Sequence, residues 1–364
     1  LAASMGFTDT IEFFSQLDQH RNNVHRHFEI LLEAKNSESK QPNLEEQLQG
    51  IWQGVIGDNP AEEILASVGF DQPREVLQLL DYLRNTLGSN QLGDKGRQRL
   101  EKLIPQVLKE VGAGTRSEMG LGRIIDLIKS IGGRISYCAR LLENPRVLTH
   151  LIQLAGASPW IASFLAQHPV LLDELLDPRT LYIPPEAGQI KFDLNQRLRQ
   201  APADDLEYQI EQLCIFKEIN VLRVAAADVS GALPLMRVSD HLSEIAETLV
   251  AEVVQMAYGH LYEKPGAPTC ELTGKTCENG FAVIAYGKLG GLELGYGSDI
   301  DLVFLHSGTG EKTTGGQQAI DSAQFFNRLG QRVIHILTAH TRAGRLYEID
   351  MRLRPSGGSG VLVS

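Results

Sequence analysis

The sequence predicts an α+β protein, a large all-helical N-terminal region followed by a small α/β domain with a mixed sheet. Three observations predict it. Apolar residues recur at helical steps from the start of the chain to about residue 265. Beyond Lys264 they gather instead into short β-rich runs. One long amphipathic segment separates those runs, as a crossover helix would.

Taken in order, a first helix capped by Thr8 or Asp9 would bury Phe14, Leu17, Val24, Phe28 and Leu31. The polar stretch from Lys35 to Asn43 reads as a linker, and Gly88–Lys95 and Gly112–Ser117 as further breaks. Asn144-Pro145, Ser158-Pro159 and His168-Pro169 each precede an apolar stretch. Proline suits the first helical position and Asn or Ser the cap before it, so each pair predicts a short helix start. Two longer helices follow. One runs from about Asp204 to Asp228, with Leu206, Ile210, Leu213, Phe216 and Ile219 in its stripe. The other, capped near Ser239 or Asp240, buries Leu242, Ile245, Leu249, Val253 and Met256. These stripes are ordinary core-facing surfaces and are assigned no chemistry.

After Lys264 comes a loop, then "FAVIAY" (Phe281 to Tyr286), which reads as a buried strand. Ile300 to His306 is the second strand, Gln317 to His340 a long helix, and Leu346 to Leu353 a third, alternating strand.

Composition bounds the function. With 364 residues the chain is long enough for two or three domains, and 43% hydrophobic residues supply their cores. A net charge of −11 argues against non-specific nucleic-acid binding. Four cysteines, Cys138, Cys214, Cys270 and Cys277, are too few for a disulfide framework of this size and read as reduced thiols. No run of about 18 apolar residues marks a membrane span. The first residues lack a secretory pattern and an initiator Met, so the chain is expected to begin inside a longer, cytoplasmic protein.

The chemistry centres on "GKLGGLELGYGSDIDLVFLH", Gly287 to His306. Residues two apart on a strand share a face, so Asp299 and Asp301 point together while Ile300 points to the core. On the third strand Glu348, Asp350 and Arg352 share one face. If the two strands are neighbours, Asp350 joins the pair. Asp-x-Asp alone is a weak signal and would pass for strand-entry and solvated residues. Three facts strengthen it: the apolar strand beneath, the glycine segment before it, and the acidic strand one helix later. Three gathered carboxylates require a cation, and hard oxygen ligands suit Mg²⁺, one ion or two.

Gly287, Gly290 and Gly291 would turn the chain out of the first strand and bring backbone N–H groups to a triphosphate. A short helix through Leu292 to Leu294 would aim its N-terminus at the same anion. Lys288 reads equally as a phosphate ligand and as a solvated turn lysine. Arg352, on the aspartates' side, would clamp phosphate oxygens; Arg354 would do the same or pair with Glu293 or Glu348. The segment matches neither G-x-x-x-x-G-K-[ST] nor G-x-G-x-x-G.

Two motifs, "GKLGGLELGYGSDIDLVF" and "YEIDMRLRPSGGSG", in that order and separated by a long helix, resemble the glutamine synthetase adenylyltransferase family within the polymerase-β-like nucleotidyltransferases. "ENPRVLTHLIQLAGASPW", "HPVLLDELLDP" and "LRVAAADVSGALPLMRVSDHL" extend the resemblance over most of the chain. Such proteins carry two nucleotidyltransferase modules, one removing AMP from glutamine synthetase by phosphorolysis and one attaching it from ATP. "LGYGSD" and "RPSGGSG" resemble the C-terminal, adenylylating one, with Gly297 where serine is usual before Ser298. The resemblance implies residues 1–35 as the tail of a preceding helical module, 36–265 as a helical region leading into the catalytic domain, and 266–364 as the nucleotidyltransferase domain. It implies Asp299, Asp301 and Asp350 as metal ligands and catalytic carboxylates, with Gly287, Lys288, Gly290, Gly291, Ser298, Arg352 and Arg354 around ATP. It also implies glutamine synthetase as substrate, and a PII signalling protein and glutamine as regulators. Phosphorolytic deadenylylation, uridylyl transfer to a PII protein, and a non-catalytic regulatory module are the competing readings.

Overall fold

A computed structural model describes Phe13, His20 and residues 43–87, 93–114, 117–131, 135–202, 204–272, 275–276, 280–353 and 362–364. The expected first helix, most of the Lys35–Asn43 linker, Cys277, Arg354 and the "PSGGSG" loop lie outside them, apart from Phe13, which is helical and buried, and His20, which is helical and exposed. The chain divides into two compact units, Leu1–Ile152 and Gln153–Ser364. Among the described residues no helix is long and apolar enough to cross a membrane.

The first unit is helical: α1 (Leu44–Gln53), α2 (Asp58–Val68), α3 (Pro73–Thr86), α4 (Asp94–Gly112), α5 (Ser117–Ile131), α6 (Ile135–Glu143) and the start of α7 (Pro145–Ala157). Asn43 and Glu46 form a reciprocal capping box on α1, the side chain of each accepting the other's N–H. Helix α4 touches α1, α2, α5 and α6. Its Leu103, Ile104, Val107 and Leu108 are buried, so it forms the centre of that core.

In the second unit, α8 (Pro159–Gln167) and a 3₁₀ helix (Pro169–Leu176) begin at the prolines that the sequence marks, as α7 does. The Ser158 hydroxyl accepts the Ile161 N–H at 3.3 Å. Asn144 does not act this way: its side-chain amide donates backwards, to the Arg140 carbonyl. Helices α9 (Pro178–Leu181), α10 (Ala187–Arg199), α11 (Leu206–Val229) and α12 (Leu235–Tyr262) follow. Asp205 caps α11, accepting the Tyr208 N–H at 2.9 Å. Helix α12 starts a turn before the expected Ser239 or Asp240. Pro234, at φ −63°, occupies the cap, and the exposed Leu235 and Met236 add nothing to the buried stripe that signalled the helix.

Strands β1 (Gly266–Ala267), β2 (Glu271–Leu272), β3 (Lys275–Thr276), β4 (Phe281–Tyr286), β5 (Ile300–His306), β6 (Thr314–Gly315) and β7 (Ile349–Asp350) complete the unit with α13 (Gly287–Gly290) and α14 (Ser322–Thr338). β1 pairs with β6 and β2 with β3. The main sheet has the order β4-β5-β7, with β4 antiparallel and β7 parallel to β5. It is mixed, and with the helices it makes an α+β architecture. Its core is continuous with α11 and α12: Leu213, Leu249, Phe304, Phe325, Leu329 and Val333 belong to one buried cluster.

Four expectations are corrected here. β4 is an outer strand whose side chains at 282, 284 and 286 are exposed, so its apolar run is not wholly buried. Helix α14 begins at Ser322, not Gln317, because the Asp321 carboxylate accepts the Ala323 and Gln324 N–H groups and stops the helix there. The third strand shortens to Ile349–Asp350, since the Asp350 side chain takes the Arg352 N–H and turns the chain, leaving Leu353 exposed. The helix expected at Leu292–Leu294 forms instead at Gly287–Gly290.

Candidate active site

The carboxylates are brought together by sheet pairing. Ile300 is fully buried and fixes the register of β5. Asp301 then stands opposite Tyr286 on one side and Asp350 on the other. Asp299 precedes the strand by one residue and is exposed. The sequence left open whether β5 and β7 are neighbours; they are, and their register sets Asp301 opposite Asp350.

A cation already answers these charges. The Arg352 guanidinium grips Asp350, donating from Nε at 3.0 and 2.8 Å and from Nη2 at 2.5 Å, while the Arg352 N–H adds a bond at 2.8 Å. These bonds hold the Asp350 carboxyl below the usual carboxylate range. The Arg352 guanidinium is raised in turn, first by Asp350, with further contributions from Asp301 and Asp299. All three carboxylates therefore act on one positive group. Among the described residues no set of three or more His, Cys, Asp or Glu is closed tightly enough to hold a metal ion. The carboxylate oxygens of Asp299, Asp301 and Asp350 are hard donors, the type that a divalent cation of the Mg²⁺ class takes.

The glycines have definite tasks. Gly287 adopts φ +54°, and a Cβ there would lie 2.1 Å from Asp301 Oδ2. Only glycine allows this turn while the Asp301 carboxylate packs against it. A Cβ on Gly290 would meet the Ala285 carbonyl oxygen at 2.5 Å. The Gly291 N–H closes α13 on the Gly287 carbonyl at 3.0 Å. Lys288 is exposed on this turn. Gly297 stands at φ +69°, a left-handed conformation that favours glycine. The Ser298 hydroxyl accepts the Gly295 N–H at 3.2 Å, and the Ser298 N–H returns a bond to the Gly295 carbonyl. The Glu348 carboxylate pairs with Arg345.

Sequence reasoning missed the supports of this loop. The Tyr296 hydroxyl donates to Asp228 Oδ2 at 3.1 Å, and its ring lies 4.7 Å from that of Trp160. Burial and the adjacent Asp228 raise the phenol's pKa, so it stays protonated and donating. Lys217 Nζ donates to the carbonyls of Arg345 and Leu346 at 3.3 and 2.8 Å, just before β7. It also pairs with the buried Glu218 at 3.0 Å. Trp160, Lys217 and Glu218, with Gly295–Ser298, line a cavity of about 410 Å³. His168 lines it too, and burial lowers the imidazole's pKa. An aromatic after Ser-Pro and a lysine on a helical stripe carry no local mark of such roles.

A family model described as glutamate-ammonia ligase adenylyltransferase matches residues 148–364. Two curated relatives, from Thioalkalivibrio sulfidiphilus and Nitrosococcus oceani, are each 44% identical over the whole of this chain and 38% of their own length. A third, from Pseudomonas putida, is 42% identical over the whole chain and 37% of its own length. All three are named bifunctional glutamine synthetase adenylyltransferase/adenylyl-removing enzyme. The chain thus spans a little over a third of the length of the relatives it matches.

Proposed function

Because the chain belongs to the glutamate-ammonia ligase adenylyltransferase family, we propose that it transfers AMP from ATP to a tyrosine hydroxyl of glutamine synthetase, releasing pyrophosphate. The observation that carries this reading is the register pairing of Asp301 with Asp350 beside the glycine turn. Residues 266–364 would be the nucleotidyltransferase module, of the polymerase-β-like kind. Residues 36–265 would be its helical lead-in and 1–35 the tail of a preceding module.

Asp299, Asp301 and Asp350 would hold Mg²⁺, which when bound supplies neutralisation of phosphate charge. The chain's own groups do the rest. The backbone around Gly287, Gly290 and Gly291, with Ser298 and Lys288, positions the phosphates. The Arg352 fork, with Arg354, orients their oxygens by bidentate bonds. Asp350 takes the proton of the attacking tyrosine, whose ordinary pKa is about 10. As the tyrosine oxygen bonds to the α-phosphorus, the bond to the bridging oxygen breaks and pyrophosphate departs with its electron pair. Catalysis rests on positioning and charge neutralisation. The protein would work in the cytoplasm under glutamine and a PII protein.

The relatives' second activity, adenylyl removal, is the alternative on the same fold. Two incubations separate them: α-labelled ATP with unmodified glutamine synthetase, then labelled adenylylated enzyme with phosphate. The proposal expects label incorporation in the first. Release of labelled ADP in the second, with no incorporation in the first, would reverse it.

A further inference from the structure

A second cleft in the same unit carries the opposite charge. It lies between the end of α12 and the outer face of α14, and has a volume of about 460 Å³. His260, Lys264, Arg328, Arg332 and His335 line it, and none of its ten lining residues is acidic. This occurs in a chain with 45 acidic and 34 basic residues. Arg328, Arg332 and His335 fall at steps of four and three on α14 and share one helix face.

These cations are not spent on neighbours. Elsewhere in the unit, Arg223, Arg237, Arg345 and Arg352 each pair with a carboxylate. Among the described residues neither Arg328, Arg332 nor Lys264 has a carboxylate within ion-pair distance. The wall is also held in place. The Lys264 carbonyl accepts the Gln317 and Gln318 N–H groups at 2.9 and 3.3 Å. The Pro265 carbonyl accepts the buried Thr313 hydroxyl at 2.6 Å. Behind the cleft, Tyr258 meets Phe325 edge-on at 5.5 Å, fixing α12 against α14.

We propose that this cleft binds a small multivalent oxyanion of the polyphosphate or organic-phosphate class. Two guanidinium forks and one ammonium point charge suit phosphate oxygens, and the amides of Gln318 and Gln331 add neutral donors at the rim. The volume is that of a small-ligand site. The site is separate in chemistry from the acidic one, whose carboxylates repel an anion that arrives without metal.

The test is calorimetric titration of the chain with tripolyphosphate in EDTA, which keeps metal from the acidic site. One equivalent is expected to bind. Arg328→Gln/Arg332→Gln is expected to weaken binding roughly tenfold or more, a loss of about 1.4 kcal/mol. Lys264→Gln, an exposed single change, weakens it in the same direction. The charge-matched Arg179→Gln/Arg237→Gln and the Asp299→Asn/Asp301→Asn variants bind as the native chain does. No saturable binding at millimolar probe, or equal losses in the charge-matched control, would overturn the proposal. So would polyglutamate binding where tripolyphosphate does not, which would give the cleft to an acidic protein segment. Because no AMP transfer is read, failure here leaves the proposed activity untouched.

Discussion

At Gly287 a missing methyl group decides the site. Alanine there places Cβ on Asp301 Oδ2 and must also adopt φ +54°. The strain is about 1–2 kcal/mol, and the displaced carboxylate leaves its place opposite Asp350. Gly287→Ala is therefore expected to lose AMP transfer at least about a hundredfold by steady-state kinetics, an effect on the order of 2.7 kcal/mol, with a far-UV circular dichroism spectrum like the native one. Tyr296→Phe removes only the bond to Asp228, about 1 kcal/mol; a fall in melting temperature of a few degrees would register it. The two differ in legibility. The Asp-x-Asp pair and the glycines before it can be read locally, since strand alternation fixes their faces. Tyr296 meets Asp228 across 68 residues of chain, and no periodic pattern carries that contact.

Helix α14 and strand β5 show what tertiary context adds. Their apolar stripes were visible, and Phe304, Leu329 and Val333 are fully buried as those stripes require. Phe304→Ala should destabilise the protein by about 3–5 kcal/mol, measured by urea unfolding. The ends were less legible, because hydrogen bonds set them: the Asp321 cap begins α14, and the Arg352 N–H bond to Asp350 ends β7. His306 gives this layer a pH dependence. Its ring stacks on Phe326 at 5.2 Å, and its Nδ1 accepts the Gly308 N–H at 3.0 Å. Burial lowers the pKa of His306, and that of His168 likewise. The unfolded imidazole, near 6.5, takes its proton first as pH falls. Stability contributed by the neutral rings is complete above that value and is lost as pH falls through it toward the lower folded pKa. Thermal melts are expected to drop between pH 7.5 and 5.5, and His306→Gln to flatten part of that slope. An unchanged slope would contradict the assignment.

Across the whole molecule, the change of pattern at Lys264 marked where strands begin. It did not mark a boundary in packing, because α11 and α12 share one core with the β4-β5-β7 sheet. A helix stripe shows that a face is buried and not which neighbour buries it. The same limit hid the cavity beside Gly295–Ser298, whose walls come from segments far apart in sequence. In the proposed function, Asp299, Asp301 and Asp350 form a metal-dependent nucleotide site. Its most direct test is calorimetric titration with Mg²⁺ and a non-hydrolysable ATP analogue. With the cationic cleft removed by Arg328→Gln/Arg332→Gln, the chain should bind the nucleotide only when Mg²⁺ is present, and adding Asp299→Asn/Asp301→Asn should weaken that binding about a hundredfold. Equal, metal-independent affinity in both proteins would contradict the claim.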